Sequence, residues 1–417
     1  MMNPSPDNQY RWTIAVVAVL IYFFTNGMAI FVPQNLFPRL MEDFSVTSAV
    51  ISRSAGITLL AAAFLAPFAG ALIDRFGVIR IIRAGLVVML ICFISYPFAG
   101  SIEQLYVIHA GLALGLVCSG LMPNVVLITA WFQKGRGSMI GILAAGSSLA
   151  GAVLPLAISP LVLNPNYGWR WGMGALAIAF FCFAFVPGFL LLKSAPTPDN
   201  DADTTAPADG VELRIAMRSI TLWALALGSA CLWFSIQSMN SQVTIFFEQE
   251  AALTPQRATL LFSLIFWCSF FGKFLFGAVS DFIAKRHVMQ IASCILFLGC
   301  LLLFNYSGGE LSLTTDSLRL TFFAAVFGFG FGGCFTMIQL VAVESFGQRS
   351  LGKILGFIVF IDSIGAALGT VLIGQLRTST GNYLVPFLVV TAVAATAILA
   401  VSLIKPVTSS ADLSATR

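Results

Sequence analysis

Two residues of this 417-residue chain carry charge where the surrounding sequence has almost none. Lys273 lies in the apolar run Trp267–Gly277, WCSFFGKFLFG, and Asp362 in Phe357–Gly365, FIVFIDSIG. Lys273 precedes Asp281 by eight residues and Asp362 follows Lys353 by nine. On a helix those separations are about 12 and 13 Å, too deep for easy snorkelling to an aqueous surface. An ionisable side chain buried in hydrocarbon is expensive, and by default it marks a substrate or ion pathway. An ammonium binds a carboxylate as a point charge, without the bidentate fork of a guanidinium. Lys273 is therefore read as an anion anchor, with Asp362 as an ion-pair or proton-coupling partner. A permanent Lys273–Asp362 pair that only fixes helix packing is the competing reading.

Neutral polar residues in apolar stretches could complete a site: Asn26, Asn124, Gln237, Asn240 and Gln339. Each could hydrogen-bond a carboxylate or hydroxyl, and each could equally join two helices. His109 could exchange a proton near neutral pH, although an imidazole used in packing is the preferred reading. Glu344 could pair with Arg349 or Lys353 as a gate. The eight cysteines fall in apolar stretches without a CxxC pair and read as small buried hydrophobes. With two histidines in the chain, no metal site is expected. No Ser/His/Asp constellation, P-loop or nucleotide-binding segment is evident, so neither an enzyme nor a cofactor is predicted.

These residues must be held by elements immersed in lipid. Apolar residues make up 58% of the chain and charged ones 10%, far below the roughly 25% charged residues of soluble proteins. Apolar stretches recur at 12–33, 49–73, 79–100, 104–131, 138–163, 170–192, 220–247, 257–280, 287–306, 319–345, 354–376 and 384–404. The first is too long for a signal-peptide core and reads as a span. The net charge of +4 reflects the topology of such a protein. With both termini cytoplasmic, fifteen Lys/Arg fall inside and six outside, which is the positive-inside bias. There are no basic runs interleaved with aromatics, so no nucleic-acid partner is expected.

The segment 194–210 has four Asp, three Pro and no large apolar core, and reads as a flexible linker. It predicts an N-terminal six-helix bundle over 1–193, a cytoplasmic linker over 194–218 and a C-terminal six-helix bundle over 219–417. The two halves share a pattern. Gly70-Ala-Leu-Ile-Asp74-Arg75 closes the second span and Gly277-Ala-Val-Ser-Asp281 closes the eighth, 207 residues later. Paired repeats with a substrate site between them are common among secondary transporters.

The stretch Gly70–Arg83, GALIDRFGVIRIIR, resembles the loop between the second and third helices of the major facilitator superfamily. Gly70, Asp74, Arg75, Gly77, Arg80, Gly277 and Asp281 are then expected to act in conformational switching. Gly70 would permit close helix approach, and Asp74, disfavoured at a helix C-terminus, would need a partner. The runs Trp131–Gly141 and Glu344–Gly356 resemble the corresponding small-residue motifs of the monocarboxylate transporter and oxalate/formate antiporter families. That resemblance places an arginine at 273 and an aspartate at 269, where this chain has Lys273 and Ser269. A lysine of the first helix falls at Gln34, and the opening motif is matched only at the ends of Asp7–Trp12.

The resemblance implies an all-α membrane protein of twelve transmembrane helices in two pseudo-symmetric bundles. It also implies that the eighth and eleventh helices border a central cavity. The expected function is secondary active transport of small organic anions, foremost monocarboxylates, coupled to a proton or a counter-anion. A bacterial inner (plasma) membrane and a functional monomer are expected. An exporter of neutral or zwitterionic compounds is the alternative, and a membrane sensor on a transporter scaffold a remote one.

Overall fold

The computed structural model describes residues 6–132, 136–195, 211–347 and 350–405. Among these, twelve long helices follow one another. They are α1 (Tyr10–Phe44), α2 (Ser48–Phe76), α3 (Val78–Ser95), α4 (Ile102–Trp131), α5 (Arg136–Val162) and α6 (Gly168–Leu190), then α7 (Ile220–Gln249), α8 (Pro255–Val279), α9 (Lys285–Leu301), α10 (Ser317–Phe346), α11 (Leu351–Thr380) and α12 (Leu384–Ser402). Eleven are long and apolar enough to cross a membrane. The other, α9, has 17 residues, at the short end of what a bilayer core requires.

Three departures from the apolar pattern have physical causes. The first span was expected to end at 33, yet α1 continues to Phe44 through Pro33 and Pro38. A π-turn over Gly27–Phe31 precedes Pro33. Widening the helix there accommodates a ring that would otherwise clash with the preceding turn and that offers no N–H. The ninth span, expected to reach 306, stops at Leu301. Phe304–Ser307 and Glu310–Leu313 then form an antiparallel hairpin. Gly308 and Gly309, both at positive φ, make its two-residue turn. Finally, Cys182 is exposed, not buried as expected. It shares this with Phe181 and Phe183, because an apolar helix surface facing lipid need not be covered by protein.

The chain forms two compact units, Met1–Asp199 with Thr254–Ser263, and Asn200–Leu253 with Leu264–Arg417. In the first, α1 packs on α5, α4 on α2 and α3, and α6 on α3 and α5. In the second, α7 packs on α10, α11 and α12, and α9 on α10 and α12. Most of the linker expected over 194–218 lies outside the described residues. Its end is structured: Val211 N–H donates to Phe346 O, and Leu213–Ala216 is a helical turn.

Two seams of the second unit position the charged residues. Along α8 and α10 the backbones nearly touch, because a Cβ on Gly332 would collide with the Ser269 carbonyl and the backbone nitrogen of Lys273. Thr336 on α10 also donates to the Lys273 carbonyl, at 3.4 Å. Along α7 and α11, a Cβ on Gly365 would strike the Ala230 carbonyl. Close approach of this kind supplies the dispersion and packing that hold helices together in lipid.

Candidate functional site

Lys273 and Asp362 are 6% and 5% exposed. Among the described residues they are the only Lys, Arg, Asp or Glu side chains in the buried class. Both belong to the second unit. The Lys273 ammonium lies 4.0 Å from the centroid of the Phe335 ring, a cation–π geometry. Trp233 stands edge-on to Phe335 at 5.9 Å and to Phe331 at 6.2 Å. The aromatic wall under the ammonium therefore joins α7, α8 and α10.

Asp362 faces α7. Its Oδ1 accepts a hydrogen bond from the Ser229 hydroxyl at 2.5 Å. Ser229 and Trp233 are one turn apart, so one stretch of α7 serves both the carboxylate and the aromatic wall. Gln237 and Asn240 follow at the next turns of that stripe, where Asn240 Nδ2 donates to Gln237 Oε1 at 3.2 Å. Both are buried, and Asn240 Oδ1 has no hydrogen-bond partner. Gln339, half-buried, lies one turn beyond Phe335 on α10.

The remaining expected residues belong to the first unit. Asn26 is half-buried, and its Oδ1 has no partner. Asn124 Nδ2 donates to Ser119 O at 2.8 Å and Gly120 O at 2.7 Å, while its buried Oδ1 has no hydrogen-bond partner among the described residues. Those carbonyls are freed where α4 breaks between Ser119 and Leu121, and the amide satisfies them. His109 has both ring nitrogens in hydrogen-bond contact, Nδ1 with Thr58 Oγ1 at 2.7 Å and Nε2 with the Tyr96 hydroxyl at 3.2 Å. All three residues are buried. That geometry ties α2, α3 and α4 together.

The repeated motif sits differently in its two copies. Asp74 lies within α2 and is exposed, whereas Asp281 lies beyond the end of α8. Gly77 ends α2 at φ +83°, a conformation that suits glycine, and α3 starts at the next residue. The guanidinium of Arg75 stacks on Phe76, and Arg80 is exposed. Among the described residues, a Cβ at Gly70 would meet nothing within 4 Å. At Gly277 the nearest atom to a Cβ would be Thr336 Cγ2, at an ordinary 3.8 Å. Glu344 pairs with Lys285 at 3.5 Å, not with Lys353, because α9 starts beside the end of α10. Arg349 lies outside the described residues.

Sequence reasoning did not find Ser229, Trp233, Phe331 and Phe335. Spacing alone could have suggested two of them, since Trp233 precedes Gln237, and Phe335 precedes Gln339, by one helical turn. Gln34 is buried, and neither amide atom has a hydrogen-bond partner among the described residues. A groove of about 650 Å³ between α3 and α6 is lined by Ile94, Phe98, Trp171, Ile178 and other mostly apolar residues. It contains neither Lys273 nor Asp362 and suits hydrocarbon better than a charged solute.

Comparison with known proteins gives a consistent picture. A family model described as "Major Facilitator Superfamily" matches residues 19–254 and 225–416. Monocarboxylate transporter 10 of Homo sapiens is 24% identical over 413 residues, covering 91% of this chain and 75% of that protein. An MFS-type transporter of Gibberella moniliformis is 25% identical over 390 residues, covering 90% and 86%. The Fujikurins efflux protein of Gibberella fujikuroi is 23% identical over 308 residues, covering 72% and 62%. Among solved structures, a bacterial homologue of the human lysosomal transporter Spinster superposes with a TM-score of 0.71 at 17% identity. That match covers 96% of this chain and 95% of the other.

Proposed function

The chain belongs to the Major Facilitator Superfamily, and from that premise we propose that it is a secondary active transporter of small organic anions, foremost monocarboxylates. In this reading it works as a monomer in the inner (plasma) membrane with both termini cytoplasmic. It operates by alternating access, coupled to proton symport or anion exchange.

One observation carries the reading: a lysine buried within α8 on the face of Phe335. Charges interact far more strongly in a low-dielectric interior than in water, so this ammonium attracts a carboxylate strongly. Trp233 and Phe335 offer an apolar surface to the substrate's carbon skeleton, and Gln237, Asn240 and Gln339 offer hydrogen bonds. Asp362 is the coupling group. When the substrate carboxylate engages Lys273, proton uptake by Asp362 keeps the buried charge balanced. Gly70, Asp74, Arg75, Gly77, Arg80, Gly277 and Asp281 serve conformational switching. In this reading His109 serves packing, and Asn26 and Asn124 are candidate substrate-binding amides, the Oδ1 of each lacking a hydrogen-bond partner among the described residues. The names of the monocarboxylate transporter relatives support the substrate class.

A second reading, efflux of neutral or zwitterionic compounds, has its own support. Lys273 and Asp362 are opposite charges within one unit, and one relative is named an efflux protein. A thermal-shift screen separates the two, because a ligand that binds the folded state stabilises it, by about 2.7 kcal/mol at a hundredfold excess over Kd. Pyruvate, lactate, formate, oxalate and amino acids are compared with amides of the same acids. Stabilisation by a carboxylate but not by its amide is expected. Equal stabilisation by the amide would overturn the anion reading.

A further inference from the structure

The Ser229 hydroxyl lies within hydrogen-bond reach of two acceptors, Asp362 Oδ1 at 2.5 Å and its own helix's Ala226 carbonyl at 3.1 Å. A hydroxyl has one proton to donate and lone pairs that accept. It can therefore satisfy one of these acceptors at a time.

We propose that Ser229 is the positioning residue that lets Asp362 remain buried in both protonation states, by turning its hydroxyl between Asp362 and Ala226. This rests on the reading that Asp362 takes up the coupled proton. With the carboxylate ionised, Ser229 donates to Oδ1. When a proton from water reaches Asp362, the carboxyl group donates to Ser229 Oγ, and the serine proton turns to the Ala226 carbonyl. On deprotonation the carboxyl proton returns to water and the hydroxyl turns back. Each state retains a hydrogen bond between Ser229 and Asp362 without movement of a heavy atom, and losing that bond inside the protein would be costly. The backbone seam preserves this geometry, because Gly365 and Gly369 hold α11 against the Ala230 and Phe234 carbonyls of α7.

Other titratable groups stand on the elements packed around α11 and on α8. On α11 itself, Lys353 and Arg377 are about 13 and 22 Å along the axis from Asp362. On α7, Glu248 is about 28 Å along the axis from Ser229, and Cys231 lies about 200° round the helix from it. On α10, Arg319 and Glu344 occupy the first and last turns. Cys334 of the same helix contacts Ser293 of α9 at 4.0 Å. Helix α12 has no titratable residue, and the turn Leu213–Ala216 brings Arg214. Lys273 stands on α8, over Phe335.

Infrared difference spectroscopy of the purified full-length protein across pH tests this without a substrate. A protonated-carboxyl band that disappears in Asp362→Asn reports Asp362. In Ser229→Ala that band should persist to higher pH than in the wild type, by about one unit, because, of the two bonds lost, the one to the charged form is the stronger. Ser229→Thr, which keeps the hydroxyl, should restore the wild-type profile. An unchanged profile in Ser229→Ala overturns the role of Ser229 while leaving Asp362 as the coupling group. If Asp362→Asn removes no band at any pH, Asp362 does not titrate and the underlying reading falls with the inference.

Discussion

The proposed chemistry of this chain rests on a few side chains that break the rule of their surroundings. Lys273 and Asp362 were legible in the sequence because each interrupts an apolar stretch. Their partners were not: Ser229, Trp233 and Phe335 are ordinary residues of lipid-embedded helices, and only the packing of α7 on α10 and α11 reveals them. His109 shows the converse, a conspicuous residue whose hydrogen-bond contacts with Thr58 and Tyr96 favour the packing reading. His109→Gln should cost about 1–3 kcal/mol of stability through buried groups left unpaired. Thermal denaturation would measure that loss, and the pH profile of transport should stay unchanged. A shifted profile would return His109 to the coupling machinery. Asp362→Asn should behave oppositely, with substrate exchange retained in proteoliposomes and accumulation driven by a pH gradient abolished. Undiminished pH-driven accumulation would reduce Asp362 to a packing partner.

Helix positions followed the apolar stretches, apart from the ends of α1 and α9, since a bilayer leaves few alternatives to a long hydrogen-bonded helix. What the pattern did not disclose were local solutions to local problems. The π-turn Gly27–Phe31 carries α1 through Pro33, where the first apolar stretch was placed to end. The Gly308–Gly309 hairpin turns the chain back just after α9. Glycines were also misleading in part, because sequence cannot say which of them meets a neighbour. Gly365 is pressed on the Ala230 carbonyl, whereas a Cβ at Gly70 would meet nothing. Gly365→Ala should therefore destabilise the α7–α11 seam by about 1–3 kcal/mol through overpacking. Gly70→Ala should leave thermal stability unchanged. Equal melting of both variants and the wild type would contradict the assigned packing.

For the molecule as a whole, the family and its helical architecture agree with the sequence reading, and the substrate rests on the proposed chemistry of one unit. The topology has its own check. Glu310 is exposed on the hairpin after α9, so a cysteine there should react with an impermeant thiol reagent added outside intact cells. Asp203→Cys, in the expected cytoplasmic linker, should react only after permeabilisation, and the reverse pattern would invert the orientation. The central claim is that Lys273 holds the carboxylate. Its most direct test is the affinity of purified Lys273→Gln and Lys273→Arg for the carboxylate that stabilises the wild type, measured by titration calorimetry. Losing a charge-assisted hydrogen bond of about 1.5–3 kcal/mol should weaken binding by roughly ten- to a hundredfold or more in Lys273→Gln. Lys273→Arg, which keeps the charge, should retain part of the affinity. Wild-type affinity in a well-folded Lys273→Gln would contradict the account.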